Sequence, residues 1–294
     1  MAARKLEDIL HEVRRIQIVA RRQVNDLLAG EYLSAFKGRG MEFDSVREYV
    51  PGDDIRTLDW NVTARSNAPH IKTYSEEREL TVFLAIDTSA SGFFGSQRLS
   101  KFETAVEIAA VLMFASLRSN DKVGLMFFAE DVVRFVPPRK GRGNIFRLIR
   151  EMLVLEPLQA RTQIGKALEY LQRIQRRRCV VFLLSDFLGD DWQRPLTVAN
   201  SKHDCIAVTI QDPRESDMPN VGIVSLQDAE TGKIVEVDSR VPKVREWIAG
   251  RARQREEKLI EGLRSAKVDR LDIRTDQPYA VSLQRFFRLR ERQR

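Results

Sequence analysis

Hydroxyl and carboxylate side chains follow two apolar runs of this sequence, at the points where the runs end. The run LTVFLAID ends in Asp87 and continues as Asp-x-Ser-x-Ser, which adds Ser89 and Ser91. A second run, CVVFLLSD, ends in Asp186, and Thr162 lies between the two runs, just before a predicted helix. Oxygen ligands of these types, with waters in the remaining positions, suit Mg²⁺, which prefers near-octahedral coordination.

A cation held by so few protein charges would keep an open coordination position and a net positive character. It could then accept a Glu or Asp carboxylate from another protein, which is a binding chemistry rather than a catalytic one. The same residue types also cap helices and stabilise turns. The pattern Asp-x-Ser-x-Ser alone therefore leaves a purely structural role open.

The apolar runs predict strands that are buried on both faces, and helical patterns separate them. This alternation predicts an α/β fold with a doubly wound, mostly parallel sheet and helices on both faces. Ligands of such sheets collect at the carboxyl ends of the strands. We therefore expect the polar residues named above to meet at one edge of the sheet.

The sequence divides into three segments that differ in their residue patterns. Residues 1–78 predict a long N-terminal helix, with an apolar stripe from Leu6 to Leu28, and then a small β-rich flank of strands and turns in which Trp60 is expected to be core. Residues 79–212 hold the predicted α/β core. Residues 213–294 predict a hairpin, a long charged helix, an edge strand near Leu271 and a final amphipathic helix.

Composition limits the class of protein. With 294 residues, 43% of them hydrophobic and 31% charged, the chain is predicted to fold rather than to be disordered. No apolar segment approaches the length of a membrane span, and the N-terminus lacks the apolar region of a signal peptide. Cys179 and Cys205 each begin an apolar run, which favours buried, reduced thiols and a cytoplasmic location.

The five polar residues resemble the metal-ion-dependent adhesion site of von Willebrand factor A domains. Asp87, Ser89, Ser91, Thr162 and Asp186 stand at the five matching positions. The resemblance implies a von Willebrand A fold, which is Rossmann-like. It also implies a site that binds Mg²⁺ or Mn²⁺ and engages an acidic residue of a partner.

The segment before the core is similar to the signature of the bacterial domain-of-unknown-function 58 family. The matching positions are Gly40-Met41-Glu42-Phe43, Arg47-Glu48-Tyr49, Pro51-Gly52-Asp53-Asp54, Arg56, Asp59-Trp60, Ala64-Arg65, Lys72 and Glu77. The C-terminal pair Phe286-Phe287 also looks like that family. Genes of the family commonly lie beside those of MoxR-type AAA+ ATPases. The resemblance implies an adaptor for such an ATPase in the assembly or maturation of other proteins.

Two other classes of function are less favoured. The net charge of +7 suggests a nucleic-acid binder, but residues 285–294 alone hold five Arg and one Glu, so over half of the excess is a C-terminal tail. A metal-dependent hydrolase would need a general base. None of His11, His70 and His203 lies in a motif that offers one, and no phosphate-binding loop occurs. A non-enzymatic binding module is therefore expected.

Overall fold

The computed structural model describes residues 6–24, 31–36, 42–66, 68–75, 79–155, 160–189, 191–227 and 232–293. The strands in these ranges are β1 (Glu42–Glu48), β2 (His70–Ser75), β3 (Thr81–Asp87), β4 (Lys122–Phe128), β5 (Val132–Arg139), β6 (Val180–Ser185), β7 (Asp204–Gln211), β8 (Ile223–Gln227), β9 (Ile234–Asp238) and β10 (Asp269–Arg274). The α-helices are α1 (Leu6–Gln23), α2 (Glu31–Phe36), α3 (Trp60–Ser66), α4 (Lys101–Arg118), α5 (Arg142–Val154), α6 (Ile164–Ile174), α7 (Gln193–Lys202), α8 (Pro242–Ser265) and α9 (Tyr279–Gln293).

Six strands form the central sheet in the order β10-β7-β6-β3-β4-β5. Neighbouring strands are parallel except for β4 and β5, which are antiparallel. The chain builds the sheet outward from β3, first through β4 and β5 and then on the other side through β6, β7 and β10. The order of strands therefore reverses between β3 and β6, and a ligand-binding crevice is expected at their carboxyl ends.

The sheet separates two hydrophobic cores, and alternate residues of β3 enter each. Leu84 and Ile86 join the core that contains residues of α1, α2, α4, α5 and α9. Phe83 and Ala85 join the core that contains residues of α6, α7 and α8. The predicted α/β fold, with a mostly parallel sheet and helices on both faces, is confirmed.

The N-terminal flank departs from the prediction of strands and turns alone. It contains the two-stranded antiparallel sheet of β1 and β2, but also the short helix α3. Asp59 explains this helix, because Oδ1 of its carboxylate accepts hydrogen bonds from the amides of Asn61 and Val62 and so caps the first turn. Trp60 is the first residue of α3 and is 70% exposed, so its predicted place in the core is wrong.

Parts of the predicted N-terminal features lie outside the described residues. They are the end of the first helix near Leu28 and three residues of the family signature, Gly40, Met41 and Glu77. The described part of α1 packs on α4, where Arg15 forms an ion pair of 3.0 Å with the buried Glu107. Glu107 therefore fixes α1 to the core.

The C-terminal segment contains the predicted hairpin, helices and edge strand, and β10 alone joins the central sheet. Strands β8 and β9 form an antiparallel hairpin, and β10 pairs in parallel with β7 as an edge strand. Helix α9 closes one face, where the hydroxyl of Tyr279 donates a hydrogen bond of 2.9 Å to Glu107. Phe287 of α9 packs against Phe36 of α2. Helices from both ends of the described chain therefore share one core with the sheet.

Two further features bear on the sequence predictions, the state of the cysteines and the character of the helices. Cys179 and Cys205 are free and buried. Burial raises the pKa of each thiol to about 12, which keeps both protonated. Among the helices of the described ranges, none combines the length and the apolar character that crossing a bilayer requires.

Candidate functional site

The predicted site residues meet at the carboxyl ends of β3 and β6, the two strands between which the strand order reverses. Asp87 is the last residue of β3, and Asp186 directly follows β6. Thr162 comes from the loop before α6, and the backbone amide of its neighbour Gln163 holds that loop to the carbonyl of Ala129 at 2.9 Å. The sheet thus brings together residues that are far apart in the chain.

Asp87 is buried, and both of its carboxylate oxygens accept hydrogen bonds. Oδ1 accepts from the amide of Ser89 at 2.9 Å, and Oδ2 accepts from the hydroxyl of Ser185 at 2.6 Å. Burial, together with the nearby charge of Asp186, raises the pKa of Asp87 to about 6. At pH 7 the carboxylate is largely ionised, and a bound cation would stabilise that form.

Three buried hydroxyl groups form a chain beside Asp87. The hydroxyl of Thr162 donates to Oγ of Ser89 at 2.7 Å, and Oγ of Ser89 lies 3.1 Å from Oγ of Ser91. Neighbouring ligands around Mg²⁺, with metal–oxygen distances of about 2.1 Å, are roughly 3.0 Å apart in an octahedron. The spacing of these oxygens therefore fits adjacent positions of a magnesium shell.

The turn that carries the two serines is fixed by backbone contacts. Residues Ala90–Phe93 form one turn of 3₁₀ helix, and the amide of Gly92 donates to the carbonyl of Ser89. The amide of Ala90 donates to the carbonyl of Ala160, which ties the serine turn to the loop of Thr162. The hydroxyl chain thus rests on two loops that are bonded to each other.

Asp186 has a partner that the sequence did not reveal. Its Oδ2 accepts a hydrogen bond of 2.7 Å from Nζ of Lys101, and its Oδ1 accepts from the amide of Leu188 at 3.2 Å. The Lys101 ammonium is buried and also forms an ion pair of 2.5 Å with Glu215. Lys101 thus contributes a positive charge directly beside the proposed metal ligands.

The donor set fits a hard divalent cation. The five residues Asp87, Ser89, Ser91, Thr162 and Asp186 would hold it, and Asp186 shares its charge with Lys101. Hydroxyl and carboxylate oxygens suit Mg²⁺ or Mn²⁺. The described ranges contain no cluster of three or more His, Cys, Asp or Glu side chains that could hold a metal ion, so any site there depends on its hydroxyl groups.

All five residues singled out from the sequence lie together. Sequence reasoning missed three polar residues of the same region: Ser185, Lys101 and Glu215. Ser185 had a signal, since it is the last residue of an apolar strand next to Asp186. Lys101 and Glu215 had none, because the contacts of Lys101 with Asp186 and with Glu215 join parts of the chain 85 and 114 residues apart.

The chain shares sequence and structural similarity with several known proteins. The family model described as "Protein of unknown function DUF58" matches residues 45–258. The uncharacterised protein Rv1480 of Mycobacterium tuberculosis is 32% identical over 283 residues, which are 95% of this chain and 89% of Rv1480. The structure of BatB from Bacteroides thetaiotaomicron aligns with a TM-score of 0.47 at 17% identity, over 72% of this chain and 99% of BatB.

A second solved structure, the VWA domain of SpRpn10, aligns with a TM-score of 0.34 at 18% identity, over 45% of this chain and 76% of that domain. The family match and the relative carry the assignment, because the family model spans well over half of the chain and Rv1480 aligns along nearly all of it. The chain therefore belongs to the DUF58 family.

Proposed function

We propose that this protein is a metal-ion-dependent protein-binding module. The observation that carries the proposal is the chain of hydroxyls from Thr162 through Ser89 to Ser91, which lies beside the Asp87 carboxylate with the spacing of a magnesium shell. A bound Mg²⁺ or Mn²⁺ would supply a coordination position for an acidic side chain of the partner. The protein's own residues would hold the ion and orient that open position.

The surface around the site supports a protein partner. Phe94 and Leu188 belong to the loops that carry the site, and they are 44% and 40% exposed. The amide of Phe94 bonds to the carbonyl of Ser91, and the amide of Leu188 bonds to Asp186. Exposed apolar side chains beside the open coordination position would give a partner apolar surface to bury. A partner that inserts an acidic residue would also cover these two side chains.

The partner that we propose is a MoxR-type AAA+ ATPase, for which the protein would act as an adaptor in the assembly or maturation of other proteins. This part of the proposal rests on the resemblance to the DUF58 family described above. A client protein that presents an acidic residue would use the same chemistry.

Binding rather than catalysis is supported by the positions of the imidazoles. His70 bonds to Ser66 and Ala68 within the flank. His203 lies beside Cys179, at the amino end of β6 and thus opposite to the site. The side chain of His11 lies outside the described part of the chain. The proposed site therefore has no base among the described imidazoles, and we propose that the protein has no hydrolase activity.

Calorimetry with MgCl₂ and MnCl₂ tests the metal site. We expect saturable heats for the native protein and none for Asp87→Ala. Asp131→Ala is the matched control, because Asp131 is exposed and lies at the same edge of the sheet. Equal heats for the native protein and Asp87→Ala would overturn the proposed site.

Co-purification with a MoxR-type ATPase, with and without EDTA, tests the partner. We expect retention of the ATPase in Mg²⁺, loss in EDTA, and loss for Ser89→Ala in Mg²⁺. Retention that is the same in all three conditions would show that binding does not use this site, and no retention in any of them would overturn the choice of partner.

A further inference from the structure

A buried lysine stands between two carboxylates next to the hydroxyl chain. The side chain of Lys101 is 2% exposed, and that of Asp186 is 3% exposed. Nζ of Lys101 contacts Asp186 at 2.7 Å and Glu215 at 2.5 Å. Burial alone lowers the pKa of Lys101, but the two carboxylates outweigh it and raise that pKa. The ammonium is therefore a permanent charge at physiological pH.

The helix itself gives no reason for a lysine at this position. Lys101 is the first residue of α4, and a cation at a helix N-terminus is opposed by the helix dipole. Ser100 already caps the helix, together with Glu103 in a capping box. The amide of Lys101 donates to the carbonyl of Phe94, which places its side chain next to the serine turn. The location of the ammonium is thus explained by its two carboxylates.

Glu215 is itself held firmly. It sits in the 3₁₀ turn Pro213–Glu215, which is capped by the buried Asp212. Asp212 also accepts hydrogen bonds from Ser96 at 2.5 Å and from Thr275 at 3.0 Å. The carboxylate of Glu215 is therefore a fixed second anchor for Lys101, independent of Asp186.

We propose that Lys101 is an internal counter-ion that competes with a divalent cation for the charge of Asp186 and so sets the metal affinity of the site. The proposal rests on the metal-binding function proposed above. The ammonium uses Oδ2 of Asp186, the amide of Leu188 uses Oδ1, and the ammonium repels any second cation nearby. Glu215 shares the same ammonium at 2.5 Å and so limits this competition. Lys101 is a positioning residue, since it acts on the metal through Asp186.

Variants of Lys101 and of Glu215 are expected to change the metal affinity in opposite directions. Lys101→Met removes the competing charge, so we expect the affinity for Mn²⁺ to rise by at least about tenfold. Glu215→Gln removes one negative charge and the second carboxylate that shares the ammonium. Lys101 would then neutralise Asp186 more fully, so we expect weaker binding of Mn²⁺. A purely structural role of Lys101 would make both variants bind Mn²⁺ more weakly, because both disrupt a buried ion pair.

Calorimetric titration with MnCl₂ at pH 7 and fixed ionic strength tests the proposal. Lys101→Met leaves the buried Asp186 and the partly exposed Glu215 without their cation. The double variant Lys101→Met/Glu215→Gln is therefore measured too, since it removes one charge of each sign. Lys101→Arg keeps the positive charge and should bind Mn²⁺ within about twofold of the native protein. Lys166→Met is the control for overall charge, because Lys166 is half exposed and pairs with Asp131.

The outcomes separate this proposal from the proposed function. Tighter binding of Mn²⁺ by the double variant, with Lys101→Arg and Lys166→Met unchanged, supports it. Binding by the double variant alone also supports it, since the native lysine would then exclude the ion. Binding by the native protein that is unchanged or weakened in both Lys101→Met variants overturns the role of Lys101 and leaves the metal site standing. No binding by any protein overturns both.

Discussion

Ser185 donates a hydrogen bond of 2.6 Å from its hydroxyl to Oδ2 of Asp87, across two adjacent parallel strands. Ile86 and Leu184 are partners in the register of β3 and β6, so the two polar residues follow at the next position of each strand. This bond favours the ionised form of Asp87 and opposes the effect of burial on its pKa. A residue outside the five predicted ligands thus helps to keep the site charged.

Ser185→Ala is expected to lower the free energy of unfolding at pH 7 by about 1.5–3 kcal/mol, because a hydrogen bond to a buried carboxylate is lost. Urea denaturation measures the change. Ser201→Ala is the control, since its hydroxyl is exposed and donates to the carbonyl of Val198 in the same helix. A Ser185→Ala midpoint equal to that of the control would contradict the expected contribution.

Gly189→Ala is expected to disturb the site without removing a polar group. A Cβ at Gly189 would lie 2.6 Å from the backbone oxygen of Thr162, so that loop must move. We expect weaker Mn²⁺ binding by calorimetry and a loss of about 1–3 kcal/mol in the free energy of unfolding. Gly143→Ala in α5 meets nothing within 4 Å and should be neutral or slightly stabilising. Native metal affinity in Gly189→Ala would show that the loop tolerates the shift.

Asp121 predicts a pH dependence of stability. Burial raises its pKa from 3.8 to about 6, although the amide of Leu80 donates to its Oδ1. The folded state therefore binds the proton more tightly, and this contribution to stability is lost as the pH rises from about 4 through 6. The total change is at most about 3 kcal/mol, and less where water reaches the carboxylate.

Asp121→Asn should remove this loss, because it keeps the acceptor for Leu80 without the charge. Unfolding in urea at pH 4.5 and pH 7 measures the free energy of unfolding of both proteins. We expect Asp121→Asn to be more stable than the native protein only at pH 7. Asp131→Asn, at an exposed position, should follow the native protein at both. The same difference in the free energy of unfolding between the native protein and Asp121→Asn at both pH values would count against the raised pKa of Asp121.

Arg290 predicts a strong effect of a single C-terminal residue. Its buried guanidinium forms ion pairs with Asp204 and Asp269 and lies 4.9 Å from the centre of the Phe36 ring. Arg290→Ala should lower the free energy of unfolding by about 3 kcal/mol, since a buried pair is broken. Arg292→Ala, at an exposed position of the same helix, should change it by less than about 0.5 kcal/mol. Equal losses of thermal stability in Arg290→Ala and Arg292→Ala would contradict this contribution of Arg290.

The central strands could be predicted from sequence because burial on both faces leaves an unbroken apolar run. The predicted strand after Leu80 and the observed β3 end at the same residue, Asp87. The flank was harder, because its structure depends on single polar contacts. Trp60 is expected in the core, whereas capping by Asp59 starts a helix there and Trp60 is exposed.

The site was predictable only in part, for a similar reason. Asp87 and Asp186 were found because strand ends of a parallel sheet converge. Nothing in the local sequence marks Lys101 as buried, because its burial depends on carboxylates from two distant segments. Such long-range ion pairs have no local signature in a sequence.

The long-range polar contacts of α4 can form only late in the synthesis of the chain. Lys101 meets Asp186 and Glu215, which follow it by 85 and 114 residues, and Glu107 meets Tyr279, which follows it by 172. Because the ribosome adds residues from the N-terminus, α4 and strands β3 and β4 emerge before these partners exist. Until Glu215 is made, the ammonium lacks one of its two neutralising groups. A nascent chain that already contains all five proposed metal ligands therefore still holds an incomplete site.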